Sequence, residues 1–234
     1  MAHRCELFPM LGVPSTGAEA TDEHTIAAAD LAERLRCIVN AACAPCVLLH
    51  AAGGIATASP LLKSCIAESQ KLDAAAIVVG GEDFDHAASS ARAVGADGLH
   101  MMAIGEPDAE ALAGRIKSAI QNGDDLMFGV NVGLSRHNAM MLAEAGAAYI
   151  GFSAQVAATD QDARREMVDL VTWWAEVFEI PCVALNVPHD ALDEVARLAE
   201  AGADFVSIAV QGEQTVEELE AWAEACAKAL TGTD

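Results

Sequence analysis

The sequence is poor in positive charge. Thirteen Lys and Arg stand against 35 Asp and Glu, a formal net charge of −22. A basic nucleic-acid footprint is therefore excluded. So is attraction to anionic lipid, which needs Lys/Arg clusters. An anionic substrate would have to find its positive groups locally. Long apolar runs are also missing. No stretch of about 18 apolar residues escapes a charge or a turn signal, so no membrane-spanning helix is expected. The opening residues lack the basic, apolar and cleavage regions of a secretory leader, and a cytoplasmic location is expected. The seven cysteines are an odd number and fit reduced thiols better than a disulfide framework. Apolar content is ample. At 53% against 21% charged, a chain of 234 residues can bury a large core.

Short β-rich apolar runs alternate with longer Ala-rich amphipathic ones. The pattern predicts strands over Cys5–Leu11, Cys46–His50, Ala75–Val79, Gly98–Met101, Met127–Val130, Tyr149–Phe152, Cys182–Leu185 and Phe205–Val210. It predicts helices over Thr25–Ala42, Pro60–Lys71, His86–Ala93, Asp108–Gln121, Asn138–Ala145, Gln161–Phe178, Asp190–Ala201 and Thr215–Leu230. Eight strand–helix units of roughly 25–30 residues match an α/β (β/α)8 barrel with eight parallel strands. A doubly wound open sheet would want a glycine-rich phosphate loop after an early strand, and none is present. A repeat supports the barrel. Val94-Gly95-Ala96-Asp97-Gly98 recurs as Ala145-Gly146-Ala147-Ala148-Tyr149 and as Ala201-Gly202-Ala203-Asp204-Phe205, with the glycines 51 and 56 residues apart. Each spacing is two strand–helix units. Each glycine falls where a left-handed helix cap is expected. The loosest segment, Gly12–Asp22, reads as the first strand-to-helix loop, and no linker divides the chain.

Barrel active sites lie at the carboxyl ends of the strands. His50, His86, His100, His137 and His189 all map to that rim, with Glu82, Asp83 and Asp85 on the loop after the third strand. Imidazoles and carboxylates there can act as metal ligands or as acid–base groups. Nearly all Lys and Arg fall on predicted helices. Arg136, inside Ser135-Arg136-His137-Asn138, is the exception on the rim. Cys43-Ala44-Pro45-Cys46 has dithiol spacing. It follows a helix rather than opening one, so structural thiols are expected. Of the adjacent Trp173 and Trp174, one is expected in the core and the other free for an interface. Exposed apolar helix positions, including one of these two and Trp222, would allow a homo-oligomer.

Several motifs, taken in order, resemble one family. Val94-Gly95-Ala96-Asp97-Gly98-Leu99-His100 looks like its fourth-strand signature. Leu134-Ser135-Arg136-His137, followed by Leu142–Phe152, looks like its Ser-x-His loop, helix and sixth strand. Ile180–Leu185 and Ala201–Val206 look like its last two strands. The chain, over roughly residues 75–230, resembles thiamine-phosphate synthase and its relative the thiazole tautomerase. The resemblance implies one barrel domain over residues 1–234 and small phosphorylated pyrimidine and thiazole ligands. In the family's synthases an aminopyrimidine methyl diphosphate loses diphosphate with help from Mg²⁺. The thiazole nitrogen of a thiazole phosphate then captures the carbocation-like pyrimidine.

On that basis Asp83 or Asp85 would hold Mg²⁺, and Ser135 and Arg136 would meet phosphate. His50, His100 and Asn186 would bind substrate. In the tautomerase branch the histidine matched here by His137 is the proton shuttle. The chain departs from the family where phosphate is handled. The Gln-x-Arg-x-Lys stretch is replaced by Leu48–Gly53, which holds no basic residue. The Asn-Asp pair is replaced by Gly80–His86, and the Pro-Thr-x-Thr-Lys loop by Ala157–Gln161. The Gly-Gly after the seventh strand is Asn186-Val187. Three readings follow. They are a divergent synthase of thiamine biosynthesis, a proton-transfer enzyme built on His137, and a catalytically inactive barrel that binds a ligand or partner.

Overall fold

The computed structural model describes residues 4–14, 28–57, 59–104, 106–154 and 161–231. Strands and helices alternate throughout. They are β1 (Glu6–Val13), α1 (Ala28–Ala42), β2 (Cys46–Ala51), α2 (Pro60–Lys71), β3 (Ala75–Val79), α3 (Phe84–Val94), β4 (Gly98–Met102) and α4 (Glu106–Gln121). There follow β5 (Met127–Asn131), α5 (Arg136–Glu144), β6 (Tyr149–Phe152), α6 (Gln161–Val177), β7 (Cys182–Val187), α7 (Leu192–Glu200), β8 (Phe205–Ala209) and α8 (Val216–Thr231). All strand pairs are parallel, and β1 closes on β8. This is the (β/α)8 barrel that the alternation implies. Among the described residues, no helix is long and apolar enough to cross a membrane.

The core has two layers because successive strand residues point to opposite faces. Leu7, Val47, Leu49, Val78, Leu99 and Phe128 pack outward against the helices. Phe8, Cys46, Leu48, Ile77, Tyr149 and Val183 fill the barrel itself. Both faces are buried, which is why these strands read as nearly continuous apolar runs.

The Gly-Ala-Asp repeat has a mechanical basis. Gly95, Gly146 and Gly202 have φ of 80°, 101° and 97°, the left-handed geometry that ends a helix cheaply. Two residues on, Asp97 grips the strand before its own. Its N–H donates to the Ala76 carbonyl at 2.9 Å, and its carboxylate accepts the Ala76 N–H at 2.8 Å. Asp204 does the same to Cys182, at 3.1 and 2.8 Å. Ala148 in the middle copy keeps only the backbone half, its N–H donating to Phe128 at 2.7 Å. Asp204→Ala would leave the Cys182 N–H without that acceptor. A loss of about 1–3 kcal/mol is expected, read as a lower urea midpoint. An unchanged midpoint would show that water replaces the carboxylate.

Caps move several helix starts from where periodicity alone puts them. Ser135 accepts the Asn138 N–H at 3.2 Å, so α5 begins at Arg136 and not at Asn138. Arg136 and His137 are thus first-turn helix residues. Asp83 caps α3 likewise, drawing Phe84 and Asp85 into the helix ahead of His86. Thr215 and Glu218 form a reciprocal capping box at 2.8 and 3.2 Å, placing Thr215 just outside α8. Gly12 and Val13 belong to β1 rather than to the loop expected there, and residues 15–22 of that loop lie outside the described residues.

One tryptophan of the adjacent pair lies in the core as expected, whereas Trp222 is not the exposed position expected of it. Trp174 is fully buried and donates its indole N–H to the Ile180 carbonyl at 2.7 Å. Trp222 is buried beneath His189, the rings stacked with centroids 4.5 Å apart. Trp173 is half-buried and covered by Arg136. Trp174 and Trp222 thus spend their apolar surface inside the chain.

Candidate functional site

The carboxyl ends of the strands converge on the barrel mouth. His50 is one residue from the end of β2 and exposed, in register with Gly12 of β1, which has no side chain to cover it. Asn131 ends β5 and is 4% exposed. Its Oδ1 accepts the Gly133 N–H at 3.0 Å and the Ser153 hydroxyl at 2.9 Å. Both acceptor directions are filled, so the carboxamide NH₂ is the end left for another partner.

His100 sits mid-strand in β4, on the inward face opposite to that of Leu99 and Met101. Its Nδ1 lies 2.9 Å from the hydroxyl of Tyr149, and the two rings are nearly parallel. Burial pushes the His100 imidazole down to about 4, so it is neutral at neutral pH. Burial also pushes the Tyr149 phenol well above its usual range, with a smaller push from Cys46.

Asn186 lies on a β-bulge where β7 gains one residue against β8. It is exposed, with φ of 58°. That backbone suits glycine, and Asn is among the few other residues that accept it. Bulges of this kind re-aim side chains at barrel rims.

The other candidates lie at the helix starts that follow β3 and β5. The Ser135 hydroxyl accepts the Asn138 N–H at the α5 cap, which leaves its own O–H to donate. His137 is exposed in the first turn of α5, with no partner among the described residues. The Arg136 guanidinium lies 4.7 Å from the centre of the Trp173 ring, a cation–π contact in the helix layer. Asp83 accepts the His86 N–H at 3.0 Å, and Asp85 pairs with Arg115 of α4. With Glu82 and Asp108 they line a cleft of about 690 Å³ beside α4.

Mg²⁺ was the ion implied for these aspartates. Among the described residues no three His, Cys, Asp or Glu side chains converge. One aspartate is a helix cap and the other is neutralised by an arginine. These residues form no all-protein cage for a divalent ion, and Asp83 and Asp85 would meet Mg²⁺ only together with substrate phosphate.

Charge follows the same pattern. Apart from Arg4, every Lys and Arg of the sequence lies on a helix, Arg136 included. Arg34 donates to the carbonyls of Gln211 and Gln214 at 2.7 and 2.5 Å. Arg164 pairs with the buried Glu194 at 2.8 Å. The strands and strand-to-helix loops thus carry no cationic side chain for a phosphate. The cysteines are free. Cys43 is exposed, whereas Cys46 faces the barrel interior with its thiol pushed up to about 12 by burial.

The sequence profile of a family described as thiamine monophosphate synthase matches residues 21–211. The chain belongs to the thiamine monophosphate synthase family. A thiamine-phosphate synthase of Erythrobacter litoralis is 39% identical over 121 residues, covering 50% of this chain and 53% of that one. One of Rhodospirillum centenum is 34% identical over 115 residues, covering 49% and 51%. The chain spans about half the length of the curated relatives it matches. A thiamine phosphate pyrophosphorylase structure from Pyrococcus furiosus superposes with a TM-score of 0.64 over 97% of this chain and 96% of that one. At 18% identity that likeness shows the barrel and no more.

Sequence reasoning missed Asn131, Ser153 and Tyr149 in this member of the thiamine monophosphate synthase family. The signal for Asn131 was a polar residue closing the apolar run Met127–Val130. Ser153 directly follows β6 in the same way. Tyr149 carried no signal beyond being the chain's single tyrosine.

Proposed function

We propose that this chain is a divergent synthase-type barrel of thiamine biosynthesis that takes the phosphorylated pyrimidine and thiazole ligands of its family. It would hold them by hydrogen-bonding groups at the mouth. The supporting observation is the contrast between His50, Asn131 and Asn186 at the strand ends and cationic side chains confined to helices. In this reading the mouth orients two partners, and proximity is its main contribution. Phosphate would be met by backbone N–H groups at the start of α5, which favour anions weakly compared with an Arg or Lys fork. A monophosphate suits such a mouth better than a diphosphate. The engagement of Arg34, Arg115, Arg136 and Arg164 by other groups favours a second reading, binding without turnover.

Calorimetric titration with thiamine monophosphate, with and without Mg²⁺, tests the first step. Saturable binding is expected. Absence of binding at millimolar ligand would sink the proposal. Formation of thiamine monophosphate from the two precursors then separates an active synthase from a binding barrel.

A further inference from the structure

His100, Gly129 and Tyr149 lie side by side across three strands, His100 in register with Gly129 and Gly129 with Tyr149. The Tyr149 ring passes over Gly129. A Cβ built at Gly129 would stand 1.9 Å from Tyr149 Cζ. Only a residue without a side chain lets the phenol reach the imidazole two strands away. The hydroxyl is buried, and among the described residues its one hydrogen-bond partner is His100 Nδ1 at 2.9 Å.

That single partner decides where the imidazole proton sits. A buried phenol must place its hydrogen on an acceptor. Were Nδ1 protonated, it would donate to the phenol oxygen, and the phenol hydrogen would be stranded. Were Nδ1 bare, it accepts the phenol hydrogen and nothing is stranded. A neutral imidazole with a bare Nδ1 carries its proton on Nε2. No group among the described residues meets Nε2.

We propose that Tyr149 is a positioning residue that holds His100 as the Nε2–H tautomer, so that the barrel interior offers a ligand a neutral N–H donor. The matching ligand feature is an acceptor, such as a ring nitrogen lone pair or a phosphate oxygen. Together with the Asn131 NH₂, the site then presents donors without a net positive charge. The ligand consequence rests on reading the mouth as the family's binding site. The tautomer itself does not.

The test is a long-range ¹H–¹⁵N correlation of the histidine rings in the intact protein at neutral pH. The His100 signals are assigned by their loss in His100→Gln. Wild type is expected to show a bare Nδ1 and a protonated Nε2. Tyr149→Phe should move His100 to a mixture of tautomers and weaken thiamine monophosphate binding by about tenfold, roughly the value of one hydrogen bond. A protonated Nδ1 in wild type overturns the proposal whatever the variant does. So does a Tyr149→Phe spectrum identical to wild type. If thiamine monophosphate binds while Nδ1 is protonated, the positioning role fails and the functional reading stands. If Nδ1 is bare and nothing binds, the functional reading fails and the tautomer assignment stands.

Discussion

Gly129→Ala is expected to destabilise the barrel by about 3 kcal/mol, near the upper end for adding one methyl group to a packed interior. The new carbon would lie 1.9–2.3 Å from Cζ, Cε1 and the hydroxyl oxygen of Tyr149. These atoms belong to a rigid ring, not to the end of a flexible chain. The ring has little freedom to retreat, with Phe8 edge-on at a centroid distance of 5.7 Å and His100 parallel to it at 5.8 Å. Nor can Gly129 move away, because β5 is in register with β4 and β6 on both sides. Tyr149→Ala removes the obstacle but leaves a cavity, at about 3–5 kcal/mol by analogy with other large aromatic truncations. The double variant should therefore fall short of the sum of the singles by about 1–3 kcal/mol, as expected for residues in contact. Urea midpoints of the four proteins measure this directly. A neutral Gly129→Ala, or simple additivity, would show that the ring does not occupy the space over Gly129.

The same geometry shows what was and was not legible in the sequence. The barrel was legible because strands buried on both faces leave unbroken apolar runs, and because Asp97 and Asp204 repeat a local device with a local signature. The rim positions of Asp83 and Ser135, closely after β3 and β5, and of Asn186 near the end of β7 were legible too. Their partners were not. Whether an aspartate beside a strand end holds a metal or a helix depends on cap geometry, and Asp83 holds α3. Whether Arg136 meets a ligand depends on which way the first turn of α5 points its side chain, and Trp173 lies 37 residues further along the chain (173 − 136). The His100–Tyr149 contact depends on register across three strands and on a missing side chain between them. Composition carries no trace of that. One-dimensional patterns reach as far as the elements, whereas site chemistry here is decided by contacts between them.

Acid is expected to weaken the fold in a window that His100 sets. In the unfolded chain a histidine titrates near 6.5, whereas burial holds His100 to about 4 in the barrel. Between these values the unfolded state binds a proton that the folded state refuses, so stability falls as pH drops from about 6.5 to about 4. The full difference is on the order of 3 kcal/mol. Above that window His100 contributes no slope. Asp124 acts lower down. Its hydrogen bonds to Arg92 hold its carboxyl below the usual range, so its contribution is present above that range and lost as pH falls through its folded value.

His100→Gln should therefore flatten the urea midpoint between pH 6.5 and 4 while leaving the fall at lower pH. If the variant's curve runs parallel to wild type through that window, His100 is not the group responsible. The outcome bears on chemistry as well as stability. An imidazole that resists protonation until the fold is already losing stability is a poor cation for a diphosphate. Acidifying the medium would thus weaken the barrel before it charged His100. An anion reaching His100 would then meet a neutral imidazole rather than a cation.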